Sequence, residues 1–213
     1  MRRLLLGLVA VVLCSAQSWA SPLEGRDFTR VQPAQPAAKD KIEVVEFFSY
    51  QCPHCFNFSG ALDAWVKRLP RDVAFRRESV SIGHQPWEPA ARTFYTLEAL
   101  GKLDALDSAV FKAIHEQGAR FYDLGSIEAW MAQHNVPASD FRGAYESFGV
   151  DAKFKRGDTL SRTFRIPAIP TLIIDGKYLV AIASNVDYGV QLANVDALIK
   201  RARSEKQLPA AGK

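Results

Sequence analysis

Residues 42–55 read Ile42-Glu43-Val44-Val45-Glu46-Phe47-Phe48-Ser49-Tyr50-Gln51-Cys52-Pro53-His54-Cys55. The first eight are short, mostly apolar and rich in β-branched and aromatic side chains, which is the composition of a strand buried inside a sheet. Beyond the cysteines, Phe58, Leu62, Trp65, Val66 and Leu69 recur along one helical face, and Pro70 ends the run. A strand that feeds straight into a helix places Cys52 and Cys55 at the helix start, where cysteines at i and i+3 can close a disulfide across one turn. The first thiol then sits at the positive end of the helix, among backbone N–H groups that stabilise a thiolate. Pro53 suits the first turn, where its missing N–H costs nothing. His54, protonated or donating an N–H, adds a second stabiliser of negative sulfur. A favoured thiolate makes the dithiol more stable relative to the disulfide, so the disulfide tends to pass to other proteins.

Working outward, Val73–Ile82 is a second strand, with Val73, Phe75, Val80 and Ile82 as its apolar positions. Strand signals then vanish. Helices are expected over about 87–100, 103–117, 126–135, 139–148 and 151–164, with Gly101 as a C-cap, Ser126 and Ser139 as N-caps and Pro137 as a separator. The aromatics Phe94, Phe111, Trp130, Phe141, Tyr145, Phe148 and Phe154 fall on the apolar faces and read as core. Strands return at Thr171–Ile174 and Lys177–Ile182, joined by the hairpin dipeptide Asp175-Gly176. A last helix buries Leu192, Val195, Ile199 and Ala202, and Lys200-Arg201-Ala202-Arg203 reads as its solvated last turn. Residues 21–41 form an extended arm with a short strand near Phe28–Val31. The order predicts an α/β sheet domain interrupted by a helical insert.

The first 20 residues, MRRLLLGLVAVVLCSAQSWA, have a basic start, an apolar centre and small residues at the end, the layout of a cleavable secretory signal. The apolar run is shorter than the roughly 20 residues a membrane span needs. Leu13 precedes Cys14 where a lipoprotein signal wants a small residue, so Cys14 leaves with the leader. An exported chain then keeps one cysteine pair, Cys52 and Cys55. A structural disulfide between them would close almost no loop. A zinc site wants four ligands, and there is no second CxxC; His84, His115 and His134 are scattered and read as surface or core residues. Redox chemistry remains. The 27 basic residues exceed the 23 acidic ones by only four, two of them in the leader, too little to argue for nucleic acid. The mean hydropathy of −0.09 rules out a polytopic membrane protein.

Two further residues carry chemistry. Glu46 interrupts the apolar run six residues before Cys52. It either alternates to a solvated face or lies beneath the site, where lost hydration would raise its pKa and let it take a proton from a buried thiol. Pro170 precedes the strand at Thr171, where a proline is allowed. Spacing gives no reason to expect a cis Ile169–Pro170 bond, since only about 5–6% of X–Pro bonds in folded proteins are cis. Were it cis, the Ile169 backbone could pair with an extended substrate.

At these residues the sequence resembles a known family. Glu46-Phe47-Phe48-Ser49, Cys52-Pro53-His54-Cys55, Ile169-Pro170-Thr171 and Asp175-Gly176-Lys177-Tyr178, with the arm Glu24-Gly25-Arg26-Asp27-Phe28, look like the DsbA family, periplasmic thiol:disulfide oxidoreductases of the thioredoxin superfamily. The resemblance implies a thioredoxin fold divided as 21–84 and 165–213, with a helical domain inserted over 85–164 and a signal peptide over 1–20. It makes Cys52 the attacking cysteine, Cys55 the buried resolving one, His54 a tuner of the thiolate and Glu46 the buried acid. Pro170 becomes a cis-proline facing the disulfide, with Ile169 in the substrate contact. The redox group is the Cys52–Cys55 disulfide, with no other cofactor and no metal. Reduced exported polypeptides are the substrates, the inner-membrane partner DsbB and quinone reoxidise the enzyme, and the protein works as a periplasmic monomer. Ile169 stands where the family usually has Val. The other readings are an exported reductase or isomerase, a non-catalytic thioredoxin-like peptide-binding module, and a glutathione-dependent relative sharing the helical insert.

Overall fold

The computed structural model describes residues 21–207. The leader expected over 1–20, with Cys14, lies outside the described residues. Strands β1 (Thr29–Arg30), β2 (Ile42–Phe48), β3 (Val73–Ser79), β4 (Thr171–Ile174) and β5 (Tyr178–Ala181) form one mixed sheet in the order β1-β5-β4-β2-β3. β2 is parallel to β3 and antiparallel to β4, so both its edges are paired. Its apolar run suits that place: every residue of β2 but Glu43 is buried. β1, the short strand of the arm, pairs antiparallel with β5.

Alternation along the strands divides the core between the two faces of the sheet. Ile42 and Val44 of β2, with Leu172 and Ile174 of β4, pack under α1 (Pro53–Val66) and α7 (Tyr188–Lys206). Val45, Phe47 and Ile173 pack with the helical block on the other side. Each such side chain contributes roughly 1.5–3 kcal/mol on burial. The helical block comprises α2 (Glu88–Ala99), α3 (Leu103–His115), α4 (Leu124–Gln133), α5 (Ala138–Tyr145) and α6 (Phe148–Thr163), all between β3 and β4. Among the described residues, no helix is long and apolar enough to cross a membrane.

Most boundaries fall where the punctuation puts them. Gly101, at φ 64°, ends α2, with the Gly101 and Lys102 N–H groups donating to the Glu98 and Leu97 carbonyls. Asp175 and Gly176 both take positive φ, and the Lys177 N–H closes their turn on the Ile174 carbonyl at 3.0 Å. Five expectations need correcting. Asp123, not Ser126, caps α4: its carboxylate accepts the Ser126 N–H at 2.8 Å and the Ser126 hydroxyl at 2.8 Å. Ser139 lies inside α5, which starts directly after Pro137. Ser147 caps α6 by accepting the Val150 N–H at 3.3 Å, so that helix starts at Phe148 rather than at 151. Phe148, at the first position and ahead of the buried face, is then 85% exposed and not part of the core. The basic end of α7 is only partly solvated, because Arg203 folds onto Asp72 at 2.6 Å.

The helical block is seated on β3 through a buried polar cluster. The Tyr95 hydroxyl lies 2.9 Å from Glu78 Oε2 and 3.0 Å from the Ser79 carbonyl, and Arg156 Nη2 donates to Glu78 Oε1 at 3.0 Å. α6 comes this close because residue 157 is glycine: a Cβ there would stand 2.5 Å from the Tyr95 hydroxyl and 3.3 Å from the Ser79 carbonyl. Gly60 in α1 and Gly143 in α5 face open space. In urea unfolding, Gly157→Ala is expected to lose about 1–3 kcal/mol from overpacking. Gly60→Ala and Gly143→Ala are expected to gain up to about 0.5–1 kcal/mol.

Candidate active site

The end of β2 turns into α1 through Ser49-Tyr50-Gln51-Cys52, closed by the Cys52 N–H on the Ser49 carbonyl at 3.1 Å. Cys52 is the N-cap of α1, with φ −88° and ψ 115°. A cap side chain accepts from the orphan N–H groups of the first turn, and here Cys52 Sγ accepts the Cys55 N–H at 3.4 Å. Pro53 occupies the first helical turn and is exposed, as is His54. Cys52 and Cys55 are not bonded to one another, and both are buried. A single turn thus holds two thiols in unlike surroundings.

The second wall comes from the far end of the chain. The Ile169–Pro170 bond is cis, and the Ile169 carbonyl lies 3.5 Å from Cys52 Sγ. Ile169 and Pro170 are buried. Their loop is tied down by the Thr171 hydroxyl donating to the Ala168 carbonyl at 2.7 Å and by the Ile182 N–H donating to the Pro170 carbonyl at 3.0 Å.

Glu46 lies beneath, not on a solvated face: it is 1% exposed. It stands opposite Arg77 in the β2–β3 register, and Arg77 Nε donates to its Oε2 at 2.7 Å. Arg77 Nη1 reaches Asp107 of α3 at 2.8 Å, and the guanidinium lies 3.8 Å above the centre of the Phe48 ring. Asp107 in turn accepts the Tyr50 hydroxyl at 2.5 Å. Burial raises the Glu46 pKa above the ordinary carboxyl value, and Arg77 opposes that rise without cancelling it. Arg77 itself loses hydration on burial, but Glu46 and Asp107 more than compensate and keep it charged.

The two sulfurs are pushed apart. Hydrogen bonding from the Cys55 thiol, then from the Cys55 and His54 N–H groups, brings Cys52 down to about 7 against the opposing effect of burial. Burial first, and then the Cys52 sulfur, lift Cys55 well above the ordinary thiol value. The negative charge of Glu46 disfavours ionisation of both. The arrangement can present one nucleophilic thiolate near neutral pH and keep the other as a protonated reserve.

The sequence-predicted residues Cys52, Pro53, His54, Cys55, Glu46, Ile169 and Pro170 all meet in this region. His84 and His134 do not. Arg77, Asp107, Tyr50 and His115 also meet there, and the sequence motifs point to none of the four. A signal for Arg77 existed: a charge inside each of two neighbouring strands, Glu46 and Arg77, asks for a partner. Asp107 and His115 gave none, because nothing local places α3 against the loop before Cys52. Among the described residues, no group of three or more His, Cys, Asp or Glu could hold a metal ion.

The lowered pKa has a pH signature. A depressed acid stabilises the fold above its unfolded pKa, and that gain is lost as the pH falls through the folded value. The Cys52 contribution to the dithiol protein therefore grows from pH about 7 to about 9. Over that window it is expected to reach on the order of 2–3 kcal/mol. Above it, the raised Cys55 works the other way. Iodoacetamide alkylation of Cys52, followed by mass spectrometry, is expected to show a midpoint near 7 while Cys55 stays unmodified. Equal labelling of both sulfurs would remove the asymmetry.

The chain matches the family described as DSBA-like thioredoxin domain over residues 43–192. It is 35% identical over 210 residues to the thiol:disulfide interchange protein DsbA of Pseudomonas syringae pv. tomato, covering 96% of this chain and 97% of that one. Against the protein of the same name from Azotobacter vinelandii it is 32% identical over 213 residues, covering 96% and 99%. The fold is similar to the crystal structure of oxidoreductase DsbA from Xylella fastidiosa, with a TM-score of 0.79 at 29% identity over 87% of this chain and 100% of that one. It is likewise similar to Pseudomonas aeruginosa DsbA, with a TM-score of 0.80 at 29% identity over 86% and 95%.

Proposed function

The chain belongs to the DSBA-like thioredoxin domain family and is a thiol:disulfide oxidoreductase with a thioredoxin-like fold; from that premise we propose how its own residues donate a disulfide. One observation carries the reading: Cys52 Sγ caps the start of α1, accepting the Cys55 N–H at 3.4 Å, with the Ile169 carbonyl at 3.5 Å and Cys55 buried one turn on. In the oxidised enzyme a substrate thiolate attacks Cys52 Sγ. The Cys52–Cys55 bond breaks, and Cys55 leaves as a thiolate that takes up a proton. Glu46 supplies that proton, since burial holds its pKa up. A second substrate thiolate attacks the substrate sulfur of the mixed disulfide. Cys52 then leaves as the stabilised thiolate, the substrate keeps the new disulfide, and the enzyme is a dithiol.

Pro53 pre-sets the first helical turn, and His54, exposed at the rim, is available to the anionic sulfur. Ile169 and Pro170 form the surface on which the extended substrate lies, the Ile169 carbonyl being already within 3.5 Å of Cys52 Sγ. The chemistry needs the Cys52–Cys55 pair and no other cofactor. The substrates are reduced exported polypeptides. A DsbB-like inner-membrane oxidase returns the disulfide, and the protein acts as a monomer in the periplasm after residues 1–20 are removed as a signal peptide. The working domains are a thioredoxin-like part over 21–84 and 165–213 and a helical insert over 85–164.

Two measurements test this on the mature protein. In glutathione buffers read by thiol trapping, the disulfide is expected to be reduced at a small excess of reduced glutathione. A disulfide that survives to strongly reducing conditions would turn the assignment towards a reductase or a binding module. In disulfide donation to a reduced two-cysteine peptide, Cys52→Ser is expected to abolish turnover. Glu46→Gln is expected to slow the step that expels Cys55 by about 10²-fold or more, the usual scale of a lost acid–base group. Turnover unchanged in Glu46→Gln overturns its role as proton donor.

A further inference from the structure

The turn that delivers Cys52 to the helix start is gripped from the helical block. Its two central residues are Tyr50 and Gln51. The carbonyl of Tyr50 lies 2.8 Å from His115 Nε2; a carbonyl only accepts, so Nε2 carries the hydrogen. The hydroxyl of Tyr50 donates to Asp107 Oδ1 at 2.5 Å. The side chain of Gln51 donates from Nε2 to the Phe121 carbonyl, in the connection after α3, at 3.2 Å. The ring of Tyr50 packs edge-on against Phe111 of α3 at 4.9 Å. His115 also reaches past the cysteines: its ring stacks on Phe56 of α1 at 4.9 Å and 13°. One side chain of α3 thus touches both flanks of Cys52–Cys55.

We propose that His115 and Asp107 are positioning residues for Cys52, gripping Tyr50 by its carbonyl and its hydroxyl so that the turn holds Cys52 Sγ under the N–H groups of α1. The proposal rests on the assignment of Cys52 as the attacking sulfur. The leverage lies in the geometry. The Cys55 N–H meets Cys52 Sγ at 3.4 Å, and because a hydrogen bond weakens steeply as its angle closes, a rotation of the turn that re-aims Sγ weakens it. The Ser49–Cys52 turn is closed within itself by one backbone hydrogen bond and by the Gln51 N–H on the Ser49 hydroxyl at 3.2 Å. Apart from the Phe56 N–H on the Cys52 carbonyl and the packing of the Tyr50 ring on Phe48 and Phe94, the contacts that hold it against α1 come from α3 and from Phe121. The helical block thereby sets the reactivity of a sulfur it does not touch.

Three variants and their thiol chemistry test this. Tyr50→Phe removes the hydroxyl and keeps the ring, and it leaves Asp107 on Arg77. His115→Phe keeps an aromatic ring on Phe56 and loses the donor. His115→Gln restores a side-chain N–H. Each is compared with wild type by the pH midpoint of Cys52 alkylation and by the equilibrium with glutathione. His115→Phe and Tyr50→Phe are expected to raise the midpoint by about half a unit and to shift the equilibrium about three-fold towards the disulfide. His115→Gln is expected to recover at least half of that shift. The proposal is overturned if Tyr50→Phe, the mildest change, folds with midpoint and equilibrium unaltered, or if His115→Gln shifts both as far as His115→Phe. Loss of thermal stability without movement of either quantity counts against it in the same way. Should the low-pH alkylation of wild type fall on Cys55, the assignment of Cys52 fails first and the grip on Tyr50 loses its object.

Discussion

The site depends on a cap. A helix start has N–H groups that its own ladder cannot pair, and here a sulfur accepts one of them. A hydroxyl or carboxylate at an N-cap stabilises the fold and does nothing else. A sulfur at the same place gains most when it carries negative charge, so the capping interaction also selects an ionisation state. This ties the chemistry of Cys52 to the start of α1, and the start of α1 to the strand before it. β2 sits in the middle of the sheet with partners on both edges, and its last residues cannot drift without breaking two ladders. The place where the sheet is most constrained is therefore where the reacting sulfur leaves it.

Beneath that sulfur the protein keeps a charge cluster that a purely structural argument would remove. Burying Glu46 and Arg77 costs hydration that their attraction only partly returns, and well-packed apolar residues commonly do as well or better. Breaking one such pair, by contrast, costs about 3–5 kcal/mol, because the partner is left buried and charged. Arg77 divides itself between Glu46 and Asp107 and lies over the Phe48 ring. Its charge moderates the rise in the Glu46 pKa without abolishing it. The result is a buried carboxyl that is easier to protonate than an exposed one yet still within reach of ionisation. Such a group suits a neighbour whose thiol alternates between protonated and bonded states.

Much of this was readable in the sequence, for reasons that differ between elements. The central strand, the helix behind Cys52 and the Asp175-Gly176 turn are local features, each set by side-chain pattern or backbone preference within a few residues. The helical caps were harder. Ser126 and Ser139 have the right chemistry for caps, but Asp123 lies three residues ahead of Ser126, where its carboxylate takes both the Ser126 N–H and its hydroxyl. Pro137, with its fixed φ, starts α5 before Ser139 can. Phe148 carried a hydrophobic side chain in register with its neighbours, and only the cap at Ser147 puts it on the open side. Burial of Glu46 was undecidable from alternation, because the strand has core on both faces. The Arg77–Asp107–Tyr50 links join residues 30 and 57 positions apart, and no local rule spans that distance.

The long-range part is also where the insert enters the chemistry. A thioredoxin-like sheet with α1 and α7 supplies the cysteines, the cap and the cis-proline loop by itself. The helical block adds a second set of contacts, several of which fall on the two residues before Cys52. Such contacts need not touch sulfur to matter. The thiolate of Cys52 is favoured by the Cys55 thiol and then by the Cys55 and His54 N–H groups, and a tenfold change in ionisation corresponds to about 1.4 kcal/mol. One hydrogen bond that fixes the turn is of that size. A domain joined to the sheet through rigid aromatic packing at Phe48, Tyr50, Phe94 and Phe111 can therefore alter the potential of the site by changing a single contact. Such a change leaves Cys52-Pro53-His54-Cys55 itself untouched.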